Sequence, residues 1–282
     1  MSAFHPKLIP SPERTLGAIP VPVMRVIAKA DNVAKRFRAR DQEVTALRNI
    51  DLSIAAGSFV AILGRSGCGK STLLRVLAGL LEPSAGTVSI DGNPIAGPPE
   101  SVRYVFQDYG GSLFPWRNVI GNVRFGANNS PQPPASRAEV RKVALEALDL
   151  VGLAHVADRY PWELSGGMQQ RVAIARAIAS KPSLLLMDEP FGAVDALSRS
   201  SLQDAILKLW RGLNLTVLLV THDIEEAIYL AERVIVIDPV GNGIQADIAV
   251  DLPWPRSQIE TRELPEYHRL RRKLTSAVVG AV

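Results

Sequence analysis

The 282-residue sequence predicts an α/β fold with a mainly parallel sheet wrapped by helices. Three observations carry that reading. Short apolar runs recur at 58–63, 184–187 and 216–220, and runs of that length suit strands buried on both faces. Stretches with apolar residues at helical spacing lie among them, the alternation that builds parallel β-α-β units. The first run opens directly into a glycine-rich loop, after which leucines recur at helical spacing.

The elements follow in order. Pro6, Pro10, Pro12, Pro20 and Pro22 fall in the first two dozen residues; each fixes φ and removes a donor, so 1–23 reads as an extended arm. A first strand is expected over 24–33 and a second, with partial alternation, over 44–54. The run 58–63 is a buried strand, and 71–81 is a helix. Residues 126–136 (GANNSPQPPAS) are turn-formers and read as a loop. Val140, Ala144, Ala147, Leu148 and Val151 make one apolar face of a helix over 137–151. Another helix begins within 162–180. Strands return at 184–187, 216–220 and 233–237, and the helical stretch 108–165 reads as an insertion into the sheet.

Composition narrows the functional classes. Hydrophobic residues make up 47% and charged residues 21% of the chain, which excludes disorder for most of it. The single cysteine cannot form an internal disulfide, so a secreted disulfide scaffold is excluded and a reducing compartment is implied. No apolar stretch is long enough to cross a bilayer, and the N-terminus lacks a signal-peptide pattern. Lys and Arg number 32 against 28 Asp and Glu, a net charge of +4, too small an excess to imply a nucleic-acid partner.

Gly64, Arg65, Ser66, Gly67, Cys68, Gly69, Lys70 and Ser71 match the P-loop pattern G-x-x-x-x-G-K-[ST], with Thr72 next in the following helix. Glycines allow backbone angles and close approaches that a side chain blocks. Their amides, with the positive end of the helix, can then face phosphate oxygens. Lys70 would contact the β- and γ-phosphates, and Ser71 would hold Mg²⁺. Cys68 reads as a small loop residue rather than a catalytic thiol. The apolar run at 184–187 ends in Asp188 and Glu189. Neighbours on a strand point opposite ways, so the two carboxylates take different roles. Asp188 would reach the Mg²⁺ through water, and Glu189 is left to polarise an attacking water as general base.

A P-loop alone leaves function open. Leu164-Ser165-Gly166-Gly167-Met168-Gln169-Gln170-Arg171 resembles the LSGGQ signature of the ABC ATPases, with Met168 where glutamine is usual, as in several importer subfamilies. Ser165 is also a good helix N-cap, which is compatible with that reading. Gln107 matches the family's Q-loop glutamine. Asp195 resembles the D-loop aspartate, although Gly192 and Val194 replace the commoner serine and leucine. His222, after a strand pattern, matches the switch histidine. Phe37 is the candidate for the aromatic that stacks on adenine, the alternative being ordinary packing.

The resemblance covers roughly 24–255 and implies a P-loop NTPase (RecA-like) core with a mainly parallel sheet, an antiparallel β subdomain and an inserted α-helical subdomain at about 108–165. A helical tail at 256–282 would follow. It also implies ATP hydrolysis with Mg²⁺ by a head-to-tail homodimer. ATP on one P-loop would meet Ser165, Gly166 and Gly167 of the second copy. In that scheme Glu189 orients water, His222 contacts the γ-phosphate, and Gln107 senses Mg²⁺ and the transport partner.

The absence of a membrane span, of coiled-coil insertions and of a second cassette points to an importer subunit at the cytoplasmic face of the cell membrane. Its permease would lie on other chains, and a solute-binding protein would act indirectly. The stretch from Gln107 through Leu113-Phe114-Pro115-Trp116 to Val119 resembles the nitrate, sulfonate and taurine importer ATPases, though it is longer around Gly110 and Gly111. Val250-Asp251-Leu252-Pro253-Trp254-Pro255-Arg256 resembles their tail element. In those proteins the first stretch lines the groove for the permease's coupling helix. Here Leu113 to Trp116 are apolar enough for that surface or for a core corner. The stretch after His222 is too short for the regulatory domain of sugar-importer ATPases. Two other readings remain: an ABC ATPase coupled to a process other than import, and a P-loop small-molecule kinase. The signature argues against the kinase, which has no use for a phosphate cradle supplied by a second copy.

Overall fold

A computed structural model describes residues 25–39, 42–108, 110–192, 194–238 and 243–279. The expected arm at 1–23 and the start of the first expected strand, Met24, lie outside these residues. The chain runs β1 (Val26–Ala39), β2 (Gln42–Ala55), β3 (Phe59–Leu63), α1 (Lys70–Leu77), β4 (Ala85–Ile90), β5 (Asn93–Pro94) and β6 (Val102–Val105). Three helices follow: α2 (Val119–Asn128), α3 (Arg137–Leu150) and α4 (Gly166–Ala179). Then come β7 (Leu184–Asp188), α5 (Ala196–Leu213), β8 (Thr216–Thr221), α6 (Ile224–Leu230), β9 (Arg233–Ile237), β10 (Ile244–Ala249), α7 (Glu260–Glu263) and α8 (Pro265–Val279).

Two sheets form. One is antiparallel with strand order β2-β1-β4-β5; the other has order β10-β9-β3-β8-β7-β6. Within the larger sheet the β6–β7, β7–β8, β8–β3 and β3–β9 pairs are parallel, and β10 closes the edge antiparallel to β9. The expected α/β class with a mainly parallel sheet is what the chain adopts.

Alternation along the parallel strands divides the apolar interior in two. Phe59, Ala61 and Leu63 of β3 pack with Leu185 and Met187, Val217 and Leu219 into a core that reaches α2 to α6 and α8. Val60 and Ile62 turn the other way, with Leu184, Leu186, Leu218 and Val220, toward α1 and the antiparallel sheet. Burying each such aliphatic side chain contributes about 1.5–3 kcal/mol. Because both faces of the sheet are covered, its central strands are unbroken apolar runs.

The boundaries differ from the sequence reading where backbone geometry intervenes. The helix expected over 71–81 ends at Leu77 because Gly79 turns left-handed at φ 68°. The Leu80 amide then bonds back to the Arg75 carbonyl at 2.9 Å, closing the helix end. The strand expected over 24–33 continues to Ala39 through several irregularities in its pairing with β2. The loop expected over 126–136 loses its first three residues to α2, which runs to Asn128. Gly126 and Ala127 are buried there, where α2 packs on α4.

That helix crossing needs a glycine. A Cβ at Gly126 would lie 1.9 Å from the Arg176 carbonyl oxygen of α4. We predict that Gly126→Ala forces the helices apart and lowers unfolding free energy by about 1–3 kcal/mol. Urea unfolding at constant slope reads this directly; an unchanged midpoint would contradict the close approach.

Candidate functional site

The register of the parallel sheet assembles the site. Leu63 lies opposite Thr221, and Asp188 lies opposite Val220. Gly64, Glu189 and His222, the next residues along each strand, therefore emerge together at the carboxyl edge, where α/β sheets bind ligands.

The loop 64–69 enters α1 through Gly67 at φ 84° and Gly69 at φ 96°, left-handed conformations suited to glycine. Gly69 is also crowded, since a Cβ there would meet the Ala46 carbonyl of β2 at 2.3 Å. Arg65, Ser66 and Gly67 are exposed, while Gly64 and Cys68 are buried. Burial pushes the Cys68 thiol up, which suppresses thiolate and agrees with its reading as a packing residue. Lys70 is only 4% exposed, and its ammonium donates to the Gly64 and Arg65 carbonyls at 2.9 and 3.0 Å. Ser71 and Thr72 follow, half-buried, in the first turn of α1.

Ser71 Oγ donates to Asp188 Oδ1 at 2.8 Å. The other carboxylate oxygen accepts the Tyr104 hydroxyl at 2.8 Å. Tyr104 had no assigned role in the sequence reading, because its partnership depends on the β6–β7 register. It lies opposite Leu186, two residues before Asp188 and so on the same face. Burial first, then the Asp188 charge, pushes the phenol up, so it stays a donor.

Glu189 faces a different set of partners. Its Oε2 accepts from Gln107 Nε2 at 3.4 Å and lies 3.2 Å from His222 Nδ1. The two carboxylates separate as expected, but for another reason: β7 stops at Asp188, and Glu189 already has φ 45°. A left-handed turn, rather than strand alternation, parts them. The glutamate side chain is 18% exposed and the imidazole 59%. His222 precedes the N-cap Asp223, whose Oδ1 accepts the Glu225 and Glu226 amides.

A second cluster forms elsewhere. Ser165 caps α4 by accepting the Met168 amide at 3.3 Å, and Gly166 and Gly167 open that helix. Asp195 caps α5 by accepting the Ser198 amide at 3.0 Å. The Ser198 amide and hydroxyl hold its carboxyl below the usual range. Ser165, Gly166, Gly167, Asp195 and Arg171 line one pocket of about 480 Å³ whose lining includes no P-loop residue. Arg171, quoted in the signature but given no role, ties this region together by donating to the Val151 and Ser198 carbonyls.

Phe37 lies on β1, 40% exposed, with the Lys35 ammonium 5.4 Å from its ring centroid. Of the apolar stretch at 113–116, Leu113 belongs to the core at 3% exposure, whereas Trp116 is 72% exposed. Phe114 stands against Phe125 edge-on at 4.8 Å, and both line a groove of about 310 Å³ with Tyr104, Phe106 and Arg176.

Comparison with known proteins gives the family. The family described as ABC transporter matches residues 47–192. An aliphatic sulfonates import ATP-binding protein of Pseudomonas entomophila is 48% identical over 245 residues, 87% of this chain and 82% of that protein. A bicarbonate transport ATP-binding protein of Synechocystis sp. is 44% identical over 253 residues, 89% of this chain but 38% of that protein, so this chain spans well under half of its length. Among solved structures, a dimeric ATP-binding cassette in a post-hydrolysis state with ADP and Pi superposes with a TM-score of 0.72. It is 33% identical and is matched over 79% of this chain and 99% of that one. The chain belongs to the family of ABC transporter ATP-binding proteins.

Proposed function

We propose that this chain hydrolyses ATP as the ATP-binding subunit of an importer for a small anion such as nitrate, a sulfonate or taurine. It works as a head-to-tail dimer on the cytoplasmic face of the membrane, beneath permease subunits on other chains. The observation that carries the reading is the convergence on one sheet edge of the P-loop, the Ser71–Asp188 pair and the Glu189 carboxylate between Gln107 and His222. The sulfonate and bicarbonate transport relatives support the importer and the anion. The dimeric cassette with ADP and Pi supports ATP as substrate and a second copy as partner.

The chemistry follows from the residues. Gly64 to Gly69 present backbone amides to the phosphates, and the Lys70 ammonium turns from its loop carbonyls to the β- and γ-phosphate oxygens. The Ser71 hydroxyl and Asp188 carboxylate are hard oxygen donors 2.8 Å apart, the chemistry that Mg²⁺ takes, so these two residues with Gln107 would hold that ion. An ion held by these residues would supply positive charge against the transferring phosphoryl group. Glu189 accepts a hydrogen bond from the attacking water and aims it at the γ-phosphorus, and His222 stabilises the γ-phosphate oxygens. Ser165, Gly166, Gly167 and Asp195 of one copy complete the site of the other. Phe37 covers the adenine. The groove at Phe114 and Phe125, with Trp116 exposed beside it, receives the permease.

Two substitutions test the assignment. Glu189→Gln keeps the shape and removes the base, so ATP binding stays while turnover falls by about 10²–10⁴-fold. The variant accumulates as an ATP-bound dimer on size-exclusion chromatography. Turnover near the wild-type rate would refute the role. Lys70→Ala removes a charge-assisted contact and weakens ATP binding about 10–100-fold by calorimetry. Unchanged affinity would count against the phosphate site.

A further inference from the structure

The tail element and the last helix have no part in the chemistry above, yet both grip α6, the helix that His222 precedes. At its C-terminal end, Arg256 Nη1 donates to the Ile228, Tyr229 and Ala231 carbonyls at 3.1, 2.8 and 2.9 Å. The Arg256 guanidinium is stacked over Trp254, 3.9 Å from the ring centroid. At the N-terminal end, the Glu225 carboxylate accepts the Tyr267 hydroxyl at 2.5 Å and pairs with Arg271 Nε at 2.7 Å, both from α8. Tyr267 is 1% exposed, so its ring is fixed by the core, whereas Arg271 reaches in from the surface.

The segment from Thr221 to Glu226 is internally knit. Thr221 Oγ1 accepts the Asp223 amide at 3.0 Å and donates to Glu226 Oε2 at 2.8 Å. Asp223 caps the two glutamate amides. Thr221 itself is fixed in the sheet opposite Leu63, so what remains to be set is the direction in which the segment leaves β8, and that depends on its bonds to other elements. Toward α5 the contacts at this end are long, Gln203 to Glu226 at 3.5 Å and Arg199 to Glu226 at 4.0 Å; the short bond to α5, from the Tyr229 hydroxyl to Asp204 Oδ1 at 2.6 Å, lies at the far end of α6. Toward α8 they are the two short, charge-assisted contacts on Glu225, the stronger kind.

We propose that Tyr267 and Arg271 are positioning residues for His222: by holding Glu225 they fix the start of α6 and so set the approach of the imidazole to Glu189. The inference rests on the ATPase reading for its consequence in rate, but its geometric content does not. A shift of this unit that lengthens the 3.2 Å His222–Glu189 contact affects the reacting geometry more than nucleotide binding, which belongs to the P-loop on another strand.

The test uses the full chain with Tyr267→Phe, which keeps the buried ring, combined with Arg271→Ala, which alters an exposed side chain. The chain has four histidines, so ¹³C-histidine labelling gives few signals, and His222→Gln assigns the relevant one. We expect the double variant to shift the His222 resonance and to lower kcat roughly tenfold, with KM for ATP within about twofold of wild type. Glu225→Ala should reproduce most of the loss, and adding Arg271→Ala to it should cost nothing more; the Tyr267 hydroxyl keeps a longer bond to the residue-225 carbonyl at 3.3 Å. Arg271→Lys should restore part of the rate. Arg272→Ala, one residue along the same helix, should leave both readouts unchanged. An unmoved His222 resonance, or an equal loss from Arg272→Ala, overturns the proposal. If the wild-type chain hydrolyses no ATP, the proposed function falls, and the resonance alone still decides whether α8 positions His222.

Discussion

The pairing register of β3, β8 and β7 is the constraint on which the site depends. Leu63 faces Thr221, and Asp188 faces Val220, so three loops far apart in sequence leave the sheet at one level. A slip of one residue would turn every side chain of a strand to its other face and exchange the two apolar cores. Burial of both faces, with β3, β7 and β8 sealed throughout, is therefore what holds the phosphate loop, the carboxylates and the histidine in register. The chemistry needs sub-ångström placement, and it is supplied by strands rather than by the loops themselves.

The same sheet keeps the two clusters of polar residues apart. The P-loop, Asp188, Glu189, Gln107 and His222 gather at its edge, whereas Ser165 to Gly167 and Asp195 start helices around a separate pocket. Both clusters have positive helix ends and glycines suited to anions. No P-loop residue lines the second pocket, and in the proposed dimer the phosphate chain bound at the first cluster would meet the second cluster of the other copy. The proposed dimer is thus an answer to an observed division.

Different parts of this arrangement were legible in the sequence to different degrees. The phosphate loop was readable because Gly67 and Gly69 sit at φ values suited to glycine. The central strands were readable because burial on both faces leaves continuous apolar runs. The edge elements were not. β4 has three exposed residues at its start, and β10 alternates but buries a single residue, so neither shows the continuous apolar run of the central strands. The roles of Asp188 and Glu189 were separable in sequence, but the left-handed turn that parts them was not. Tyr104 and Tyr267 escaped for a shared reason. Their partners lie 84 and 42 positions away, and only folding reveals such pairings.

Helix α6 is where these themes meet. It is short, at seven residues, and a helix of that length has little stability of its own. Its caps and its neighbours must therefore hold it. Asp223 satisfies its first amides and Arg256 its last carbonyls, while Glu225 and Glu226 tie it to α8 and α5. Burial pushes the Glu226 carboxyl up, opposed by the Thr221 hydroxyl, so that bond offsets a desolvation cost rather than adding free stability. The Glu225 contacts differ: the carboxylate is one-third exposed and meets a buried phenol and a surface guanidinium. Less desolvation opposes them, so at the N-terminal end of α6 they are the firmer contacts, while Tyr229 ties its other end to Asp204 of α5 at 2.6 Å. The sheet sets where β8 ends, and the direction in which His222 leaves it then depends on residues of α8, although none of them belongs to a nucleotide motif.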